Sequence, residues 1–109
     1  MLIEIDNLHK IVFLYSDDCP SHDEALSRLR KVMEQEGVAG EIEIVNIRTD
    51  EEAVCHRFRG SPTILINGQD IDPSSTERFG LACRAYRLED GRISPLPSEA
   101  MIRKALRGA

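Results

Sequence analysis

Residues 11–22 read IVFLYSDDCPSH: an apolar run, two carboxylates, a cysteine and a proline, in that order. Ile11–Tyr15 is continuously apolar, with β-branched and aromatic members, which is the composition of a strand buried on both faces. Asp17, Asp18 and Cys19 follow as a tight loop. Pro20, with fixed φ and no amide hydrogen to leave unpaired, suits the first position of a helix. Ala25, Leu26, Leu29, Val32 and Met33 then recur at helical spacing on one face, and Gly37 and Gly40 bracket the stop. The stretch predicts a strand that delivers a cysteine to the start of a helix.

Working outward, residues 41–47 predict a second strand, with Ile42, Ile44, Val45 and Ile47 as its apolar members. Thr49 and Glu52 have the spacing of a capping box, with Asp50 and Glu51 adding negative charge to the first turn. Ala53, Val54 and Phe58 mark a short helix that Gly60 ends. Ser61-Pro62-Thr63 leads into a third strand, Ile64-Leu65-Ile66. Asn67-Gly68, two residues that tolerate positive φ, predicts a hairpin, with a short return strand over 69–72 anchored by Ile71. Residues 73–97 are the hardest to read; 83–88 suit a short strand with Asp90-Gly91 as its turn. Ser98 is a good N-cap for a terminal helix whose apolar face is Met101, Ile102, Ala105 and Leu106. Residues 2–5 add a possible edge strand. The order is β-α-β-α-β-β, an irregular stretch, then α, compatible with right-handed crossovers and a parallel start to the sheet.

Composition bounds the function. The 109 residues are 41% hydrophobic and 30% charged, a globular balance, and folding a chain of this length hides about two-thirds of its surface. Fourteen basic against nineteen acidic residues give a net charge of −5, which argues against nucleic acid and anionic membranes as partners. Basic residues thicken toward the end (Arg78, Arg84, Arg87, Arg92, Arg103, Lys104, Arg107) and read as solvated surface. No apolar run approaches the ~20 residues that span a bilayer. The opening MLIEIDNLHK lacks the charge and apolar pattern of a signal peptide, so a cytoplasmic location is expected. Three widely spaced cysteines do not make the framework of a disulfide-rich secreted domain.

Cys19-Pro20-Ser21-His22 at a helix start, with Ser61-Pro62-Thr63 opening an apolar strand before an Asn-Gly hairpin, resembles the thioredoxin/glutaredoxin superfamily. The resemblance covers residues 11–72 and the terminal helix. The stretch from Gly80 to Arg87 is similar to small bacterial thioredoxin-like proteins. It implies a single α/β domain over 1–109, with a central mixed four-stranded sheet and helices on both faces. It further implies a cis peptide bond at Pro62 beside Cys19. Where a dithiol thioredoxin has its second cysteine this chain has His22, so it cannot resolve a mixed disulfide within the motif.

Cys19 is the candidate nucleophile. At a helix start, unpaired amides and the positive end of the helix dipole favour its thiolate, whereas Asp17 and Asp18 oppose it unless they serve as caps. His22 is either a base or thiolate partner, or an exposed first-turn histidine. Cys55 is expected to be a packed thiol facing the core. The resemblance brings the chain after the hairpin past the cis-proline. That makes Cys83 the candidate resolving thiol, with a packed cysteine in a peripheral strand as the alternative. Ser61, Pro62 and Thr63 are expected to shape the groove for a thiol or disulfide substrate, and no cofactor is implied. Two further readings stand beside thiol redox chemistry. One is a soft ion such as mercury, copper or zinc held by Cys19, His22 and Cys83. The other is a non-catalytic module binding an extended peptide along the Pro62 edge.

Overall fold

Alternate side chains of a strand point to opposite faces, and the first strand divides its residues between two apolar layers. Ile11 and Phe13 meet Ile64 and Ile66 from a neighbouring strand, under Ala25, Leu29, Val32 and Met33 of one helix and Ile102 and Leu106 of another. Leu14 points the other way, to Ile47, Ala53 and Phe58. Complete burial of residues such as Phe13, Leu14, Leu29 and Ile64 is worth about 1.5–3 kcal/mol each.

The computed structural model describes residues 9–17, 19, 21–38, 40–73 and 79–108. Its elements are β1 (Ile11–Tyr15), α1 (His22–Glu36), β2 (Ile42–Asn46), α2 (Asp50–Cys55), β3 (Thr63–Ile66), β4 (Gln69–Asp70), β5 (Tyr86–Arg87), β6 (Ile93–Ser94) and α3 (Glu99–Gly108). The main sheet runs β2-β1-β3-β4. β2 lies parallel to β1, while β3 is antiparallel to β1 and β4 antiparallel to β3. The register sets Phe13 opposite Ile64 and Ile11 opposite Ile66, which joins the two strands within one layer. α1 and α3 cover that face and α2 the other. The expected mixed four-stranded α/β sheet with helices on both faces is therefore present. Among the described residues no helix is long and apolar enough to cross a membrane.

The local signals worked where predicted. The Thr49 hydroxyl oxygen accepts from the Glu52 amide at 3.0 Å, and the Ser98 hydroxyl oxygen accepts from that of Met101 at 3.1 Å. Asn67 and Gly68 take φ of 53° and 84°, the positive values a two-residue hairpin requires. Between α1 and α3, Glu36 pairs with Arg103 and Arg107, and Lys31 with Glu99.

Several boundaries differ from expectation. α1 begins at His22 with Ser21 as its cap residue, so Cys19 precedes the helix rather than opening it; Pro20, Asp18, Ala39, Arg78 and the expected edge strand at 2–5 lie outside the described residues. α2 stops at Cys55, because the chain folds back at Arg57 (φ 55°) and the Phe58 amide bonds to the Ala53 carbonyl at 2.8 Å. The return strand shortens to Gln69–Asp70, since the Asp70 carboxylate accepts from the Asp72 amide and bends the chain. The expected strand over 83–88 reduces to Tyr86–Arg87, paired with Ile93–Ser94 in a small second sheet. Arg84, read as solvated surface, is buried.

Candidate functional site

The loop that follows β1 closes as a turn in which the Cys19 amide donates to the Ser16 carbonyl at 3.3 Å. The Ser16 amide donates in turn to the Ser61 hydroxyl oxygen at 3.1 Å, tying the Cys19 loop to the segment that opens β3. The Ser61–Pro62 peptide bond is cis, as expected. Cys19 is 3% exposed and joined by a disulfide bond to Cys83, with Cα atoms 5.8 Å apart and a sequence separation of 64. Cys83 itself is exposed. The structure thus brings the two candidate thiols together, and it does so beside the cis-proline.

Ser61, Pro62 and Thr63 are all fully buried. The backbone of Ser61 is occupied by the chain itself. Its amide donates to the Ala82 carbonyl at 2.7 Å and its carbonyl accepts from the Arg84 amide at 3.0 Å, forming a parallel bridge between Ser61 and Cys83. The groove these residues were expected to shape is filled from within.

Arg84 and Tyr86 hold that filling in place. They are two residues apart on an extended segment and so point the same way, inward, while Cys83, Ala85 and Arg87 point out. The Arg84 guanidinium grips Asp70 with two hydrogen bonds of 2.8 and 2.7 Å. It also donates to the Asp72 carbonyl at 2.8 Å and to the Thr63 hydroxyl oxygen at 3.3 Å. It stacks over the Tyr86 ring, 4.6 Å from its centre. Burial is the largest single influence on Arg84 and opposes its charge, but the hydrogen bonds to Asp70 together with the negative charges of Asp70 and Asp72 and the Tyr86 oxygen outweigh it, and the net pKa is raised. The Tyr86 hydroxyl donates to the Pro62 carbonyl at 2.6 Å, and burial pushes its pKa far up, so it stays protonated. Neither residue stood out in the sequence. The available signal was the in-out alternation of 83–87, which the surrounding arginines obscured.

Both ring nitrogens of His22 have partners other than sulfur. Its Nδ1 lies 2.9 Å from the Cys19 carbonyl oxygen, an acceptor, so that nitrogen carries the proton. The ring stacks on Tyr15 at 4.3 Å, and its Nε2 lies 3.5 Å from Asp23. The Nδ1 contact ties the first residue of α1 to the Cys19 backbone. Asp17 turns to Asn46, whose amide donates to it at 3.2 Å. Cys55 is a free, exposed thiol, contrary to the expected packed one. In the single turn and a half of α2, Ala53 takes the inward position, and at 100° per residue Cys55 lands on the opposite side. Among the described residues no cluster of three or more histidine, cysteine, aspartate or glutamate side chains is placed to hold a metal ion. The chain matches no protein-family model, no curated protein and no solved structure.

Proposed function

We propose that this chain is a thioredoxin-like thiol–disulfide exchange protein whose redox pair is Cys19 and Cys83. The observation that carries the reading is the disulfide between two cysteines far apart in sequence, one buried and one exposed, beside a cis Ser61–Pro62 bond. In a reducing cytoplasm, the expected location, such a bond is transient and catalytic or sensory rather than a permanent staple.

Accessibility selects Cys83 as the residue an incoming thiol meets first in the oxidised chain. In the oxidised chain an incoming thiolate, such as glutathione, attacks the exposed Cys83 sulfur. The Cys83–thiol bond forms as the Cys19–Cys83 bond breaks, and Cys19 leaves as a thiolate. A second thiol then releases Cys83, and both cysteines are reduced. In the other half of the cycle the Cys19 thiolate attacks a partner disulfide, expelling one partner sulfur as thiolate. Cys83 next attacks the Cys19 sulfur, releasing the second partner sulfur and restoring the internal bond. Two electrons pass from the pair to the partner in each cycle. The turn ending in Cys19 also carries the Ser16 hydroxyl, buried and without a partner among the described residues.

The test is to equilibrate the full chain in glutathione buffers of graded ratio, quench with an alkylating agent and map the cysteines by mass spectrometry. Cys19 and Cys83 should exchange together between bonded and alkylated forms, and Cys83→Ser should accumulate a Cys19–glutathione adduct that dithiothreitol reverses. A Cys19–Cys83 bond that no thiol reduces without denaturant would make it a structural crosslink and end the proposal.

A further inference from the structure

Residues 80–83 lie over the site without being packed into it. Leu81, Ala82 and Cys83 are exposed, so no apolar side chain anchors this stretch. It is held by backbone groups instead. The Gly80 amide donates to the Phe58 carbonyl at 3.1 Å and the Ser61 amide to the Ala82 carbonyl at 2.7 Å. The Leu81 amide reaches the Asp50 carboxylate at 3.3 Å. The disulfide is the one covalent tie among these contacts. Immediately downstream the character changes, with Arg84 and Tyr86 buried and bonded to Asp70, Asp72, Thr63 and Pro62. The stretch runs close to the site: a Cβ placed on Gly60 would stand 3.1 Å from the Ala82 carbonyl oxygen and 3.1 Å from the Arg84 Cα.

A segment with few buried apolar contacts belongs to the low-stability end of a fold. We propose that residues 80–83 are a redox-released strap. The Cys19–Cys83 bond latches the strap over the Ser61 edge, and its reduction frees that edge for an extended, cysteine-bearing segment of a partner, with Arg84 and Tyr86 as the fixed anchor. This rests on the exchange chemistry proposed above and adds to it a gate. The resident sequence Gly-Leu-Ala-Cys-Arg shows what the edge accepts: an extended chain, small before the cysteine, whose backbone bonds to both sides of Ser61. The oxidised chain is self-occupied, and only the reduced chain presents Cys19 to a partner.

Two measurements on the full chain decide it. The first is amide hydrogen exchange, comparing oxidised, reduced and Cys83→Ser protein. Reduction and the substitution should each lower protection of the Leu81 and Ser61 amides by roughly tenfold or more, while β1, β3 and Tyr86 keep theirs. Unchanged protection at Leu81 and Ser61, or loss spread through β3, would overturn the strap whatever the thiols do. The second uses Cys83→Ser protein and the peptide Gly-Leu-Ala-Cys-Arg-Ala-Tyr, its cysteine activated as the thionitrobenzoate disulfide. With the free, exposed Cys55 also replaced by serine in this protein, Cys19 should displace the coloured leaving group roughly tenfold faster than from the same peptide N-methylated at its arginine, which loses the bond to the Ser61 carbonyl. Equal rates, with free dithionitrobenzoate still reacting at Cys19, would refute docking on this edge and leave the exchange chemistry standing. No reaction with either reagent would instead count against Cys19 as a nucleophile.

Discussion

Arg84 illustrates how much one side chain can decide. Its charged head is almost wholly withdrawn from water, and so is the Asp70 carboxylate it grips. Removing one member of such a pair leaves an uncompensated buried charge, so Arg84→Met should cost about 3–5 kcal/mol in urea unfolding. The double substitution Asp70→Leu/Arg84→Met should be less damaging than either change alone; a strictly additive double would show that the pair does not interact. Tyr86 offers a second handle. Tyr86→Phe leaves the buried Pro62 carbonyl without its donor and should cost about 1–3 kcal/mol. Because burial raises the Tyr86 pKa, the folded chain holds this proton more tightly than the unfolded one. Stability should therefore be intact below the unfolded tyrosine value of about 10 and fall as pH rises beyond it, a slope that Tyr86→Phe removes.

The elements were read where periodicity writes them into the sequence. The continuous apolar run of β1, the helical spacing of α1 and α3, and the Asn67-Gly68 turn are local patterns, and each element formed within a residue or two of its expected place. What could not be read was held by contacts between residues remote in sequence. Arg84 bonds to Asp70 and Tyr86 to Pro62, and no window of neighbouring residues announces either. Cys55 was misread for a related reason: a helix as short as α2 has room for one inward position, and Ala53 took it. The α1–α3 contact makes a prediction at this scale. The hydrogen bond from Arg107 holds the Glu36 carboxyl below its ordinary range, and Lys31 does the same for Glu99. The folded state then binds fewer protons than the unfolded one, so stability is present above the ordinary carboxylate value of about 4.3 and declines as pH drops through the lowered one. In acid-unfolding curves Glu36→Gln should flatten that decline; an unchanged curve would remove Glu36 from the clamp.

For the molecule as a whole, the crosslink matters more than any one packing contact outside the two apolar layers. A bond between positions 64 apart restricts the unfolded chain by an amount worth about 2–4 kcal/mol. Reduction should lower the unfolding free energy by that amount while far-ultraviolet circular dichroism stays native, because the layers around β1 and β3 do not depend on it. A reduced chain that loses its helices would mean the layers cannot stand alone. The bond also sets where the molecule is a ring and where it is a tail. α1, β2, α2, β3 and β4 all fall between Cys19 and Cys83, whereas β1 and everything from β5 onward hang outside the closed circuit. A protease that cuts once anywhere inside the circuit, even at the exposed tip of the Asn67-Gly68 turn, therefore severs nothing. The two pieces travel as one until a reductant arrives, and the nick becomes visible only when the thiols do.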